Sequence, residues 1–144
     1  MKKTTILLVV LIIGLQIKAQ WVASFGPEGA PVSQVIYFKK TVFVKTGNQS
    51  FYKSSDNGDN WEKMVFSGIS LSDNKDLTMV STANNLFAYH DANIYYSNDK
   101  GETWQARDNG ITTPYYGGTL VSSKGNLYLS SYLTNDAFES TDEG

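Results

Sequence analysis

No cysteine occurs in this sequence, so neither a disulfide, a thiolate nucleophile nor a Cys-ligated metal belongs to it. Packing and hydrogen bonds have to hold the fold together. Histidine occurs once, as His90 beside Asp91 in what reads as a hairpin loop. A metal site or a Ser-His-Asp triad would rest on that single imidazole, and a solvated loop residue is the expectation. Arginine also occurs once, as Arg107. Long apolar runs are missing apart from the ten residues Ile6 to Leu15, far short of the roughly 18 to 20 that a membrane-spanning helix needs.

That one run sits after Lys2 and Lys3 and before the short stretch Gln16-Ile17-Lys18-Ala19, the order of parts in a secretory signal. Cleavage after Ala19 would leave Gln20-Trp21 at the amino terminus. Residues 1–19 are thus expected to be a signal-peptide helix, and the mature chain to be secreted, periplasmic or at the cell surface, with no stable membrane insertion. Their removal takes Lys2, Lys3 and Lys18 and no acid. Of the 12 basic residues 9 remain against 14 acidic ones, a net charge of −5. Such a balance argues against nucleic acid as a partner, since phosphate recognition relies on Lys and Arg clusters. Hydrophobic residues make up 41% of the chain and aromatic ones 13%, enough for a globular core.

Internal repetition is the main positive signal. Ser54-Ser55-Asp56-Asn57-Gly58-Asp59-Asn60-Trp61 and Ser97-Asn98-Asp99-Lys100-Gly101-Glu102-Thr103-Trp104 share the pattern S-x-D-x-G-x-[NT]-W. Ser140-Thr141-Asp142-Glu143-Gly144 repeats its first five positions, and all three begin 43 residues apart. Before each lie three short β-type runs: 35–38, 41–44 and 51–52; then 77–80, 85–89 and 94–96; then 119–121, 126–129 and 137–138, with Lys124-Gly125-Asn126 as a hairpin turn. Each unit therefore reads as three strands, a turn, and a fourth strand opened by Trp. No sustained helical periodicity occurs outside the leader.

Four strands per unit at this period predict a β-propeller, whose blades cannot bury both faces until neighbours stack on them. The boxes resemble the Asp-box, or BNR, repeats of the sialidase-like propeller superfamily. The stretch from Phe25 to Val32 resembles the G-P-x-G-G-x-V lead-in of its sortilin and photosystem assembly factor branch, with Ala30 where a second Gly is usual. The expected fold is all-β: an incomplete propeller over residues 20–144, with blades at about 32–66, 76–107 and 118–144, the last broken off inside its box. The resemblance implies partners in the remaining blades of the same full-length protein.

The box residues Ser54, Asp56, Gly58, Trp61, Ser97, Asp99, Gly101, Thr103, Trp104, Ser140, Asp142 and Gly144 make physical sense as structure. Asp56 and Asp99 can accept backbone N–H groups of their own turns, and Gly58 and Gly101 permit a positive φ. Asp99 is expected to satisfy buried donors. The stretch 56–60 superficially suggests a calcium loop but lacks the required ligand order and the late Glu, so no metal or cofactor is expected. Tyr95-Tyr96 and Tyr115-Tyr116 are read as packing residues, with sugar stacking the alternative.

Two functional classes remain. One is an exported, bacterial, noncatalytic binding or scaffold module with a protein or carbohydrate ligand. The other is the amino-terminal part of a sialidase-like or xyloglucanase-like glycoside hydrolase. The sialidase resemblance implies an arginine cluster with one Arg before the first box, whereas Arg107 follows the second. The xyloglucanase resemblance implies a catalytic Asp in a T-D-x-G-G segment, whereas Thr46 is followed by Gly47, Asn48 and Gln49. No catalytic residue is assigned, and the module reading is preferred.

Overall fold

The computed structural model describes residues 26–27, 31–71, 76–107, 111, 118–131 and 136–143. The expected signal helix, Tyr115-Tyr116 and Gly144 lie outside them. All regular structure among the described residues is β. The first sheet runs β1 (Val32–Phe38), β2 (Thr41–Thr46), β3 (Phe51–Ser54), β4 (Glu62–Lys63). The second runs β5 (Thr78–Ser81), β6 (Leu86–His90), β7 (Asn93–Ser97), β8 (Gln105–Ala106). The third holds β9 (Leu120–Ser123), β10 (Asn126–Ser130) and β11 (Ala137–Ser140). Every neighbouring pair is antiparallel and follows chain order.

Two-residue turns close the first hairpin of the first and third sheets and the second hairpin of the second. Lys39-Lys40, Asp91-Ala92 and Lys124-Gly125 all take positive φ, the geometry whose twist matches the flanking strands. Only the last of these is advertised by a glycine.

Register explains how the sheets stack. Ile36 pairs with Phe43, Val80 with Phe87, and Val121 with Tyr128. Since side chains alternate across a strand, the first pair lies on the side of its sheet that faces the second sheet, the second pair on the side that faces the third, and Val121 and Tyr128 on the equivalent, outward side of the third. Phe43 is buried in a first core, against Met79, Leu86, Ala88 and Trp104 of the second sheet. Phe87 is buried in a second core, against Leu120, Leu127 and Leu129 of the third. The two faces of β6 thus serve two cores, which is why Leu86–His90 is buried at every position.

Hydrogen bonds tie the innermost strands together at repeated positions. Ser81 Oγ donates to the carbonyl of Tyr37 at 3.2 Å, and Ser122 Oγ donates to the carbonyl of Ser81 at 2.7 Å. Farther out, Lys45 crosses from the first sheet to the second. Its Nζ donates to the Leu77 carbonyl at 2.9 Å and pairs with Asp76. His90 corrects the expectation of a solvated loop residue: it is the last residue of β6, paired with Asn93, and only 1% exposed. It lies on the same side of β6 as Leu86 and Ala88, the side that packs on the first sheet, so a position that local sequence reads as loop is buried between sheets.

Candidate functional site

The repeated turns are the most distinctive local structures. In the second, Ser97 Oγ accepts the buried N–H of Gly101 at 2.8 Å and donates to Asp99 Oδ1 at 2.7 Å. Asp99 in turn accepts the N–H of Thr103 at 3.0 Å and its hydroxyl at 2.6 Å. The first turn repeats this: Ser54 Oγ accepts from Gly58 N at 2.8 Å and donates to Asp56 Oδ1 at 2.7 Å, and Asp56 accepts from Asn60 through backbone and amide. In the third, Ser140 Oγ donates to Asp142 Oδ1 at 2.9 Å. The buried backbone donor is therefore held by serine. The aspartate braces the serine and ties down the exposed end of the turn, a correction to the role expected of Asp99.

Hydrogen bonds from the Asn60 side chain and backbone and from Ser54 lower the Asp56 carboxyl to a pKa of about 2. At Asp99 burial opposes the charged form, yet bonds from Thr103 and Ser97 outweigh it and also bring the value to about 2. Both carboxylates are fully engaged as acceptors, which leaves them poorly suited to donate a proton in general acid chemistry. Gly58 (φ 97°) and Gly101 (φ 82°) take the expected left-handed conformation. So do the preceding Asn57, Lys100 and Glu143, whose part in the turn the sequence pattern leaves unmarked.

Trp104 lies in the first core, 4% exposed, with Nε1 donating to the Gly101 carbonyl at 3.2 Å. The chain leaving the first sheet covers it: Phe66 packs at 5.7 Å from its ring, and the Trp104 N–H donates to the Ser67 carbonyl at 2.9 Å. Trp61, in the first box, is half-buried. Outside the boxes, Lys53 bridges the sheets between Glu62 of its own and Glu102 of the next, and its hydrogen bond to Glu102 raises its pKa despite partial burial.

Two surfaces remain as candidates for recognition: the outward faces of the first and third sheets. On the first, Val35 and Tyr37 are 65% and 64% exposed. On the third, Tyr128 is 38% exposed although its register equivalents Phe43 and Phe87 are fully buried. Val121 beside it is exposed as well. Val35 pairs with Val44 as Met79 pairs with Ala88, and Met79 is completely buried. These faces thus carry residue types that are core residues elsewhere in the same molecule. Tyr95 and Tyr96 pack into the first and second cores respectively, in keeping with their reading as packing residues. Among the described residues no group of three His, Asp or Glu side chains is placed to hold a metal.

No protein-family model matches the chain, and no curated protein does. Solved structures do. YCF48 from Cyanidioschyzon merolae aligns with a TM-score of 0.51 at 19% identity, covering 76% of this chain and 40% of its own. YCF48 bound to D1 peptide aligns with a TM-score of 0.58 at 13% identity, covering 83% of this chain and 39% of its own. This chain therefore spans about two-fifths of either structure.

Proposed function

We propose, from the β-propeller fold that this chain shares with those structures, that it is an exported, noncatalytic binding or scaffold module whose outward sheet faces associate with polypeptide. The observation that carries this reading is the contrast at one register position, where Phe43 and Phe87 are buried between sheets and Tyr128 is exposed. An apolar patch on a soluble surface is a mark of an interaction site. Burying a side chain of this kind contributes roughly 1.5–3 kcal/mol. One of the similar structures holds a D1 peptide, which favours polypeptide over carbohydrate as the ligand class here.

In this reading the three turns are Asp boxes of the sialidase-like kind, structural in role, and residues 1–19 are a cleaved signal. Engagement of Asp56 and Asp99 as acceptors supports the noncatalytic side. Incubation with sialosides and with xyloglucan tests it. No turnover above a protein-free control is expected. Turnover abolished by a point substitution within the chain would replace it with the hydrolase reading. Mass spectrometry of protein exported by a Gram-negative host should find Gln20 at the amino terminus, and an intact, membrane-embedded Met1 would overturn the export component.

A further inference from the structure

The turns of the first two sheets are alike in backbone and differ in one reactive side chain. In both, the residue before the glycine takes the left-handed conformation, with φ 62° at Asn57 and 63° at Lys100, and Glu143 of the third turn takes 65°. Of the three only Asn57 carries an amide, and Gly58 follows it. An asparagine before glycine is open to attack on its own side chain, because glycine has no Cβ to hinder the approach of its backbone nitrogen. In that reaction the Gly58 nitrogen loses its proton to solvent base and forms a bond to Asn57 Cγ, and the side-chain nitrogen leaves as ammonia. Water then opens the succinimide ring at either carbonyl, which leaves aspartate or isoaspartate at position 57. Water is the only other reactant. The sequence's other Asn-Gly pair, Asn109-Gly110, lies outside the described residues.

Asn57 itself is exposed, whereas its attacking group is not. Gly58 is buried, and its N–H donates to Ser54 Oγ at 2.8 Å in the bond that closes the box. A nitrogen whose proton is bound to Ser54 and shielded from base is neither deprotonated nor free to swing onto Cγ. Reaction therefore waits for the turn to open, and local openings of this kind are ordinary in native proteins. We propose that Asn57-Gly58 is a deamidation site gated by Ser54: silent while the first box is closed, and converted in proportion to the time the box spends open. The product also hinders reclosure. Isoaspartate inserts a methylene into the main chain between positions 57 and 58, inside the short loop that Ser54 and Asp56 close onto Gly58 and Asn60. Aspartate instead places a new negative charge between Asp56 and Asp59. The first box thus records its own openings, and the second, with Lys100 at this position, does not.

The test incubates the full chain in mildly alkaline buffer. Trypsin cuts after Lys53 and Lys63 to release residues 54–63, and mass spectrometry follows the change from amide to acid at position 57. The free peptide Ser-Ser-Asp-Asn-Gly-Asp-Asn-Trp-Glu-Lys sets the ungated rate. Wild-type protein should react about tenfold or more below the peptide, as a closed turn requires. Ser54→Ala should react about fivefold or more above wild type, having lost the acceptor of the buried N–H. Ser97→Ala, which weakens the second box instead, should leave the rate at position 57 unchanged. In wild type under urea below the unfolding transition, hydrogen exchange at the Gly58 amide and conversion at Asn57 should rise together, a comparison that does not depend on Ser54→Ala folding. Equal rates in wild type and the free peptide, an unchanged rate in folded Ser54→Ala, an equal rise in Ser97→Ala, or conversion at Asn57 while Gly58 stays protected from exchange would each overturn the proposal.

Discussion

Gly68 lies so close to Trp104 that a Cβ added to it would stand 2.3 Å from the Trp104 carbonyl oxygen. The chain leaving the first sheet is pressed there against the box of the second, joined by the parallel bridge between Ser67 and Thr103. Gly68 also takes φ 95°. Gly68→Ala therefore combines backbone strain with a clash against main chain, and should cost about 1–3 kcal/mol or more. Urea unfolding should show a lower midpoint with an unchanged slope. A midpoint within error of wild type would mean that the two sheets are not docked through this segment.

Ser97 and Asp99 should separate on substitution. Ser97→Ala removes the acceptor of the buried Gly101 N–H, a loss of about 1–3 kcal/mol. Asp99→Ala leaves that donor with its partner and removes the acceptor of the exposed Thr103 N–H and of the Thr103 and Ser97 hydroxyls, which can rotate to other acceptors, so about 0.5–1.5 kcal/mol is expected. Equilibrium unfolding of the two variants side by side checks the order. Equal losses, or a larger one for Asp99→Ala, would restore the aspartate to the central role that the sequence alone suggests.

Stability should fall in acid over a defined window. The carboxyls of Asp56 and Asp99 are lowered from 3.8 to about 2 in the folded protein. The unfolded chain therefore takes up their protons at higher pH than the folded one, and stability rises with pH between those values. Their contribution is complete above about pH 4 to 5 and is lost as pH drops toward 2. Urea midpoints at pH 5, 3 and 2 should decline, and Asp99→Asn should decline less steeply than wild type. Parallel profiles for the two proteins would contradict this assignment.

The strand pattern and the boxes are legible in the sequence because their determinants are local. Short runs rich in β-branched, aromatic and leucine side chains form β2, β6 and β10, and Lys124-Gly125 turns as a glycine-containing hairpin should. Residues whose environment comes from a distant element are less so. His90 reads as loop because the sheet that packs on its side of β6, the side of Leu86 and Ala88, is built by β1 to β3, about forty residues earlier. Gly68 carries no sign that Trp104 will press against it. Lys39-Lys40 and Asp91-Ala92 turn in the left-handed region without the glycine or asparagine that usually announces it, because pairing of the flanking strands imposes the geometry. The division of labour between Ser97 and Asp99 is likewise hidden in S-x-D-x-G, where both residue types can accept a backbone N–H.

Sedimentation velocity over a concentration series tests most directly the claim that the outward sheet faces are interaction surfaces. Wild-type chain should shift to larger species as concentration rises, because Val35 and Tyr37 on one face and Val121 and Tyr128 on the other are exposed. Tyr37→Lys and Tyr128→Lys should each reduce that shift without lowering the urea midpoint by more than about 0.5 kcal/mol equivalent, as expected of surface positions. A wild-type protein that stays monomeric at every concentration, with both lysine variants indistinguishable from it, would contradict the account.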